Sequence, residues 1–294
     1  MSLAPELQAE YNALTHGGGV VDLSDRTKLE LRGADRVKFL NSFCTNDIKR
    51  LASGQSCEAF ICNVKGHVIG HVNVLAREEA LWLDTVPGQA AKLLAHLDRY
   101  LIREDVQLAD RTADYRALLI TGQQDSGGFA VAMAGPPANL LWLKENEPLP
   151  GPFMPCSQAA LEIVRLELGY PWYGVDITDD NLPQEVERTS QVISFTKGCY
   201  LGQETVARID ALGHVNKTLC GVAFTSEVVP AAGIELHSGE KVVGQVTSAA
   251  WSPQLGRPLA LAYVRRGHNT PGTALQSSLG EATVAALPLA TPGL

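Results

Sequence analysis

The chain has 294 residues, of which 45% are apolar and 19% charged, and a formal net charge of −8. This is an ordinary globular composition, long enough for more than one domain, and the acidic balance argues against broad nucleic-acid or membrane-surface binding. No apolar run approaches the roughly 20 residues that span a bilayer, and the start, MSLAPELQAEYNAL, lacks the basic and apolar regions of a secretory signal, so a cytoplasmic location is expected.

Leu7, Tyr11 and Leu14 stand at helical spacing and predict a helix over Pro5–His16, ended by Gly17–Gly19. Thr27–Arg32 alternates polar and apolar residues, as a half-buried strand does. Asp35–Phe43 reads as a helix on Val37, Leu40 and Phe43. Cys57–Val64 and Val68–Ala76 read as strands joined in a hairpin around Lys65–His67, with a further strand at Ala80–Thr85. Gln89–Ile102 is strongly periodic and reads as a helix, and Val106–Ala109 and Arg116–Thr121 as strands. Ser126–Pro137 is rich in Gly and Pro and reads as loop. Leu140–Leu143 is a short strand, Glu147–Pro155 a proline-rich connection, and Gln158–Leu168 a helix capped by Ser157. From Val215 the texture changes to short β-branched runs between turn signals at Pro230, Gly233, Gly239, Gly256, Gly267 and Pro271–Gly272, the pattern of a small β-barrel. The fold class is therefore α+β over 1–214 followed by a C-terminal β-barrel over 215–294, with the boundary at Leu212–Asn216.

The cysteines are Cys44, Cys57, Cys62, Cys156, Cys199 and Cys220. No CxxC pair occurs and no histidine stands at zinc-finger spacing from a cysteine, so no preformed metal site is expected. Buried core thiols account for Cys57 and Cys62, which flank a predicted strand. Cys199 is different. In Lys197–Glu204, KGCYLGQE, it stands between glycines and ahead of a helical stretch on Val206 and Ile209. A helix start and Lys197 nearby would favour thiolate over thiol. The alternative is a small buried hydrophobe. Walker A, GxGxxG, HExxH and GxSxG patterns are all missing from the sequence.

KGCYLGQE resembles the signature of the YgfZ family, folate-binding proteins linked to iron–sulfur protein maturation and related to the glycine cleavage T-protein (aminomethyltransferase). Val20–Ile48 resembles the opening of the T-protein fold, Arg165–Ile177 (RLELGYPWYGVDI) with Asn181–Glu185 its second block, and Gly244–Val264 its terminal barrel. The resemblance implies a T-protein-like folate-binding region, expected as two intertwined α+β subdomains, before the barrel. It implies tetrahydrofolate or a derivative as cofactor and iron–sulfur client or assembly proteins as partners, with neither direct nucleic-acid nor membrane binding.

In that family the glutamate of the R-x-E block contacts the pterin, which places Glu167, beside Arg165, first among the expected folate contacts. A carboxylate can accept the pterin amino group and ring N–H together; a solvated ion pair with Arg165 is the structural alternative. Tyr170, Trp172 and Tyr173 could stack on pterin or benzoyl rings or simply pack. Gln203 and Arg208 are further expected contacts. Arg26, Lys65, Lys197 and Arg208 are candidate partners for the acidic folate tail; an ion pair with Glu204 is the alternative for Arg208. Cys199 is the expected functional thiol, with Lys197 beside it. Asn46 and Asp47 read as local helix-end hydrogen bonders. His67 and His71 share a face by strand parity, which would allow a two-histidine metal site, though no other ligand stands near in sequence. Where the T-protein carries a GGIxDD-like block with a catalytic aspartate, the matching positions here are Gly70 and His71. Without that carboxylate, aminomethyl transfer is not expected.

Overall fold

The computed structural model describes residues 3–122, 127–135 and 137–290. In chain order the first elements are α1 (Pro5–His16), β1 (Gly19–Asp22), β2 (Thr27–Arg32), α2 (Arg36–Asn41), β3 (Ser56–Cys62), β4 (Val68–Ala76), β5 (Leu81–Thr85) and α3 (Ala90–Asp98). The middle holds β6 (Gln107–Asp110), β7 (Arg116–Thr121), β8 (Phe129–Ala130), β9 (Ala138–Leu143), β10 (Met154–Cys156) and α4 (Gln158–Glu167). Two helices, α5 (Thr189–Val192) and α6 (Gln203–Leu212), lead into the barrel strands β11 (Lys217–Phe224), β12 (Glu235–Ser238), β13 (Lys241–Ser252), β14 (Arg257–Arg265), β15 (Ala274–Ser277) and β16 (Gly280–Ala285).

One sheet has the order β10-β1-β7-β9-β8, a second β3-β4-β5-β2-β6, and the C-terminal strands close a six-stranded barrel in the order β11-β14-β13-β12-β15-β16. The expected fold class therefore holds: mixed α and β elements followed by a closed barrel. The first sheet packs on α1 and α4 through Leu14, Leu119, Leu140, Leu161 and Val164. The second packs Leu29, Leu31, Val72, Val74 and Leu83 against Phe39, Leu40, Leu93 and Leu97 of α2 and α3.

Several elements differ from the sequence pattern. The helix expected over Gln89–Ile102 stops at Asp98. β8 lies inside the predicted Ser126–Pro137 loop and pairs with β9, although Ser126 and Pro136 fall outside the described residues. β1 and β10 pair in parallel (Gly19↔Met154 to Val21↔Cys156), where a helix stop and a proline-rich connection were expected. Such short strands, one of them interrupted by Pro155, carry no period to read.

The second sheet departs in a more consequential way. Alternation in β2 suggests one wet face, yet Thr27 to Leu31 are all buried, as is every residue of β4. The sheet's apolar face meets α2 and α3. Its opposite face carries Lys28, Glu30, Glu58, His71, Asn73 and Asp84, all but Glu58 less than a tenth exposed, and is covered by the rest of the molecule rather than by water. Buried polar groups demand partners, and this row is where the site is built.

A bulge in β4, at the shift from Ile61↔Gly70 to Cys62↔Val68, breaks the strand alternation between His67 and His71. The shared histidine face expected from parity is therefore not formed. His67 lies ahead of β4 with Nδ1 3.0 Å from the Asp179 carbonyl, while His71 turns to the buried polar face.

Candidate functional site

β3 and β4 set Glu58 beside His71. His71 Nε2–H donates to Glu58 Oε1 at 2.7 Å. Arg188, just ahead of α5, grips the same carboxylate with both arms, Nε to Oε1 and Nη2 to Oε2, each at 2.5 Å. Burial alone would raise the Glu58 carboxyl, but the interactions with His71 and Arg188 override it and hold it at about 2. Tyr170 closes this cluster. Its ring stacks on His71 with centroids 5.4 Å apart and lies 4.7 Å beneath the Arg188 guanidinium.

Two strands along, Asn73 Nδ2 donates to Asp84 Oδ2 at 3.1 Å. Arg26 binds Asp84 through Nε (3.0 Å) and Nη2 (2.6 Å) and lies 5.2 Å over Trp172. The carboxylates of the row are thus each paired with a cation, Glu30 with Arg32 and Arg111, while the Lys28 ammonium donates to the carbonyls of Ser24, Arg26 and Thr112.

A cavity of about 820 Å³ opens on this layer. Ser56, Cys57, Glu58 and Asn73 form its floor, Ala130–Ala132 and Ala138 one wall, and Leu168, Arg188, Gln191 and Pro288 the others. Burial pushes the Cys57 thiol in its floor up to about 12, so that thiol stays protonated near neutrality. A second cavity of about 340 Å³ lies by Arg26, Gln89, Trp172 and Tyr173.

The residues singled out from sequence fall into different places. Glu167 is fully buried and accepts from Tyr11 OH at 2.8 Å and from the Ser252 hydroxyl, so it joins α1, α4 and β13. Burial raises its pKa, and these hydrogen bonds only partly offset that. Glu167 is absent from the lining of the large cavity, but its neighbour Leu168 is part of it. Arg165 is fully buried as well. It pairs with Glu162, with Asp176 at 2.8 Å and with the Tyr170 carbonyl at 3.0 Å, which ties α4 to the following loop. Tyr173 lines the smaller cavity, and its hydroxyl meets Asp179 and the Lys92 ammonium.

KGCYLGQE is a loop leading into α6. Gly202 caps the helix with φ +82°, so α6 begins four residues after Cys199. A Cβ on Gly202 would stand 2.5 Å from the Asn63 carbonyl and 2.9 Å from Gly66 Cα. Only two glycines allow the loop to dock this closely on the β3–β4 turn. Lys197 is buried and turned inward, its Nζ donating to the carbonyls of Asn41, Cys44 and Asn46, each at 2.7 Å. Burial lowers its pKa. Asn46 in turn donates Nδ2 to the Glu58 carbonyl at 2.8 Å and to the Gln191 carbonyl at 2.9 Å. The lysine therefore fixes the loop to the strand that floors the cavity. Cys199 is left exposed on the outside of that loop. Gln203 Oε1 accepts from the Tyr200 amide at 3.3 Å, and Arg208 is exposed on α6.

Sequence reasoning missed Glu58, Asn73, Asp84 and Arg188. A signal existed: acidic and amide residues in otherwise apolar, β-forming runs. It was masked because polar residues alternating in a strand ordinarily face solvent.

Comparison with known proteins fits this architecture. Residues 2–125 match the GCVT N-terminal domain and residues 217–293 the glycine cleavage T-protein C-terminal barrel domain. The chain is thus similar to both domains of a T-protein and to the aminomethyltransferases. It is 27% identical to the aminomethyltransferase of Streptomyces avermitilis, covering 90% of this chain and 83% of that one. It is 25% identical to that of Symbiobacterium thermophilum, covering 91% and 84%. Its fold matches the glycine cleavage system aminomethyltransferase T from Bartonella henselae with a TM-score of 0.85 at 21% identity, over 96% of this chain and 89% of that one.

Proposed function

We propose that this chain binds tetrahydrofolate or a derivative in the 820 Å³ cavity and serves as an accessory protein in the assembly or repair of iron–sulfur proteins, with Cys199 as its working thiol. The cavity's size suits such a ligand. Its mainly apolar walls with a few convergent polar groups suit a flat heterocycle. The Glu58 carboxylate and the Asn73 amide would meet the ring's donors and acceptors, and Arg188 would add positive charge for an acidic tail. Bound folate would supply a reduced one-carbon carrier. The chain's residues would bind and orient it and shield it from water.

The observation that carries this reading is the state of the layer beneath the cavity. At Gly70–His71, where the T-protein pattern has its aspartate, His71 is tied to Glu58, and Arg188 holds Glu58 ionised with a pKa of about 2. A carboxylate that acidic is a poor proton acceptor near pH 7. Such an arrangement would keep the groups that bind a ligand while leaving the proton transfers of aminomethyl transfer without their carboxylate base. The second reading, a folate-dependent one-carbon transferase, rests on the name that the relatives carry.

Assay of the purified chain with tetrahydrofolate and an aminomethyl donor separates the two. No turnover is expected, and in cells lacking the protein Cys199→Ala is expected not to restore iron–sulfur enzyme activity. Turnover in the wild type that survives Cys199→Ser would establish the transferase instead.

A further inference from the structure

Segment 41–46 is bonded to the KGCYLGQE loop on one side and to the cavity on the other. Towards the loop, the Leu201 amide donates to the Ser42 carbonyl at 2.9 Å and the Ser194 amide to the Thr45 carbonyl at 3.0 Å. The Lys197 ammonium donates to the carbonyls of Asn41, Cys44 and Asn46. Towards the cavity, Asn46 Nδ2 donates to the Glu58 carbonyl, in the floor, and to the Gln191 carbonyl, in a wall, at 2.8 and 2.9 Å. Its Oδ1 accepts from the Asp47 amide at 2.9 Å. The sequence pattern makes Asn46 a local helix-end hydrogen bonder, yet only this last bond is local. Both amide hydrogens go to segments 12 and 145 residues away. Serine in its place offers one donor, and aspartate would set a carboxylate against two carbonyls. Thr45, next to it, fastens the same segment through the Val192 carbonyl at 2.6 Å and the Phe60 amide at 2.9 Å, but neither of those residues lines the cavity.

We propose that Asn46 is a positioning residue that couples the cavity to Cys199: a ligand resting on Glu58 and Gln191 stiffens, through Asn46 and Lys197, the loop that carries the thiol. The proposal rests on the accessory-protein reading and deepens it by joining its two sites. A ligand held against Glu58 and Gln191 restrains the two main-chain carbonyls that Asn46 grips. The carbonyl of Asn46 is in turn one of the three that hold Lys197, two residues before Cys199. Restraint at one end of such a bonded chain lowers the population of open states at the other, with no change of shape required. The coupling is reciprocal, so loosening the loop must loosen the cavity wall by the same route.

Hydrogen exchange of the full chain tests both directions. Gly202→Ala, whose Cβ would collide with the Asn63 carbonyl and lift the loop, is expected to speed exchange at least threefold at the Gln191 and Val192 amides beside the cavity, which are bonded to the Arg188 carbonyl at 3.0 and 3.1 Å. Added to Asn46→Ala, the same substitution is expected to leave those two amides unchanged. An asparagine that only supports the fold would lower the melting temperature on removal and leave this response intact. In the other direction, saturating tetrahydrofolate is expected to slow exchange of the Leu201 amide and alkylation of Cys199 at least threefold in the wild type, and neither in Asn46→Ala. Calorimetric titration reads folate binding separately. With no binding the folate reading fails, and the Gly202→Ala arm, which needs no ligand, still decides the coupling. Unchanged Gln191 and Val192 exchange in Gly202→Ala, or an equal response with and without Asn46, would overturn the proposal. Should Asn46→Ala lose its fold, Asn46→Ser, which keeps one donor, takes its place, and an undiminished response there would overturn the proposal equally.

Discussion

Glu58→Gln leaves Arg188 buried beside a neutral amide. Removing one member of a buried ion pair costs on the order of 3–5 kcal/mol, so a large fall in melting temperature is expected at pH 7. The same carboxylate sets an acid limb. Its folded pKa of about 2 lies below the ordinary 4.5, so its stabilisation is present above pH 4.5 and is lost as pH falls towards 2. Stability measured across that range should fall in the wild type and fall less in Glu58→Gln; parallel curves would contradict the pairing. Glu167 has the opposite sign. Its raised pKa means that its contribution is fully present below the ordinary value and shrinks as pH rises through the folded one. Tyr11→Phe takes away a donor to this buried carboxylate, with an expected cost of about 1–3 kcal/mol. At this scale the sequence singled out Cys199 but left its exposure open, and it misled on its lysine. KGCYLGQE marked out Cys199 by its flanking glycines, the helical stretch after it and the resemblance of the motif, whereas the inward turn of Lys197 depends on carbonyls about 150 residues earlier in the chain, which no local pattern displays.

Gly202→Ala tests the loop as an element. The new Cβ would collide with the Asn63 carbonyl at 2.5 Å, and a φ of +82° is strained for alanine. The loop should lift from the β3–β4 turn. The Leu201 amide, now bonded to the Ser42 carbonyl, should then exchange its hydrogen at least tenfold faster while amides in β7 and β9 keep their protection. Unchanged exchange at Leu201 would contradict the docking of the two turns. Long periodic elements such as α1 and α4 were legible because one face repeats over several turns. β1 and β10 were not, because their pairing is between segments more than 130 residues apart and each is too short to show a period.

At the level of the whole molecule, the barrel is held to the rest by the packing of Leu219 and Leu261 against Phe60, Leu166 and Val206 and by a buried polar clamp at Asp176. The β13 bulge between Val246 and Ser248 breaks alternation, so that the adjacent hydroxyls of Thr247 and Ser248 both donate to Asp176 Oδ1, at 2.5 and 2.6 Å. Asp176 also takes Arg165 at 2.8 Å and the Trp172 amide at 2.9 Å. Asp176→Ala leaves Arg165 short of a partner and unclamps the barrel. Scanning calorimetry should show a lower melting temperature, with a barrel transition separating from the main one; a single unshifted transition would contradict the clamp. The sequence announced the barrel by its turn spacing. It could not announce the cavity, because that space exists only where both sheets, the α5 approach and Pro288 converge.

Folate binding in that convergence is most directly tested by calorimetric titration of tetrahydrofolate into the purified chain and into Ala132→Trp, whose indole would fill the cavity from an exposed wall position without touching the ion pairs beneath. One site per chain is expected in the wild type, with affinity at least tenfold weaker in the variant. No heat at high micromolar ligand, or equal binding by both proteins, would contradict it.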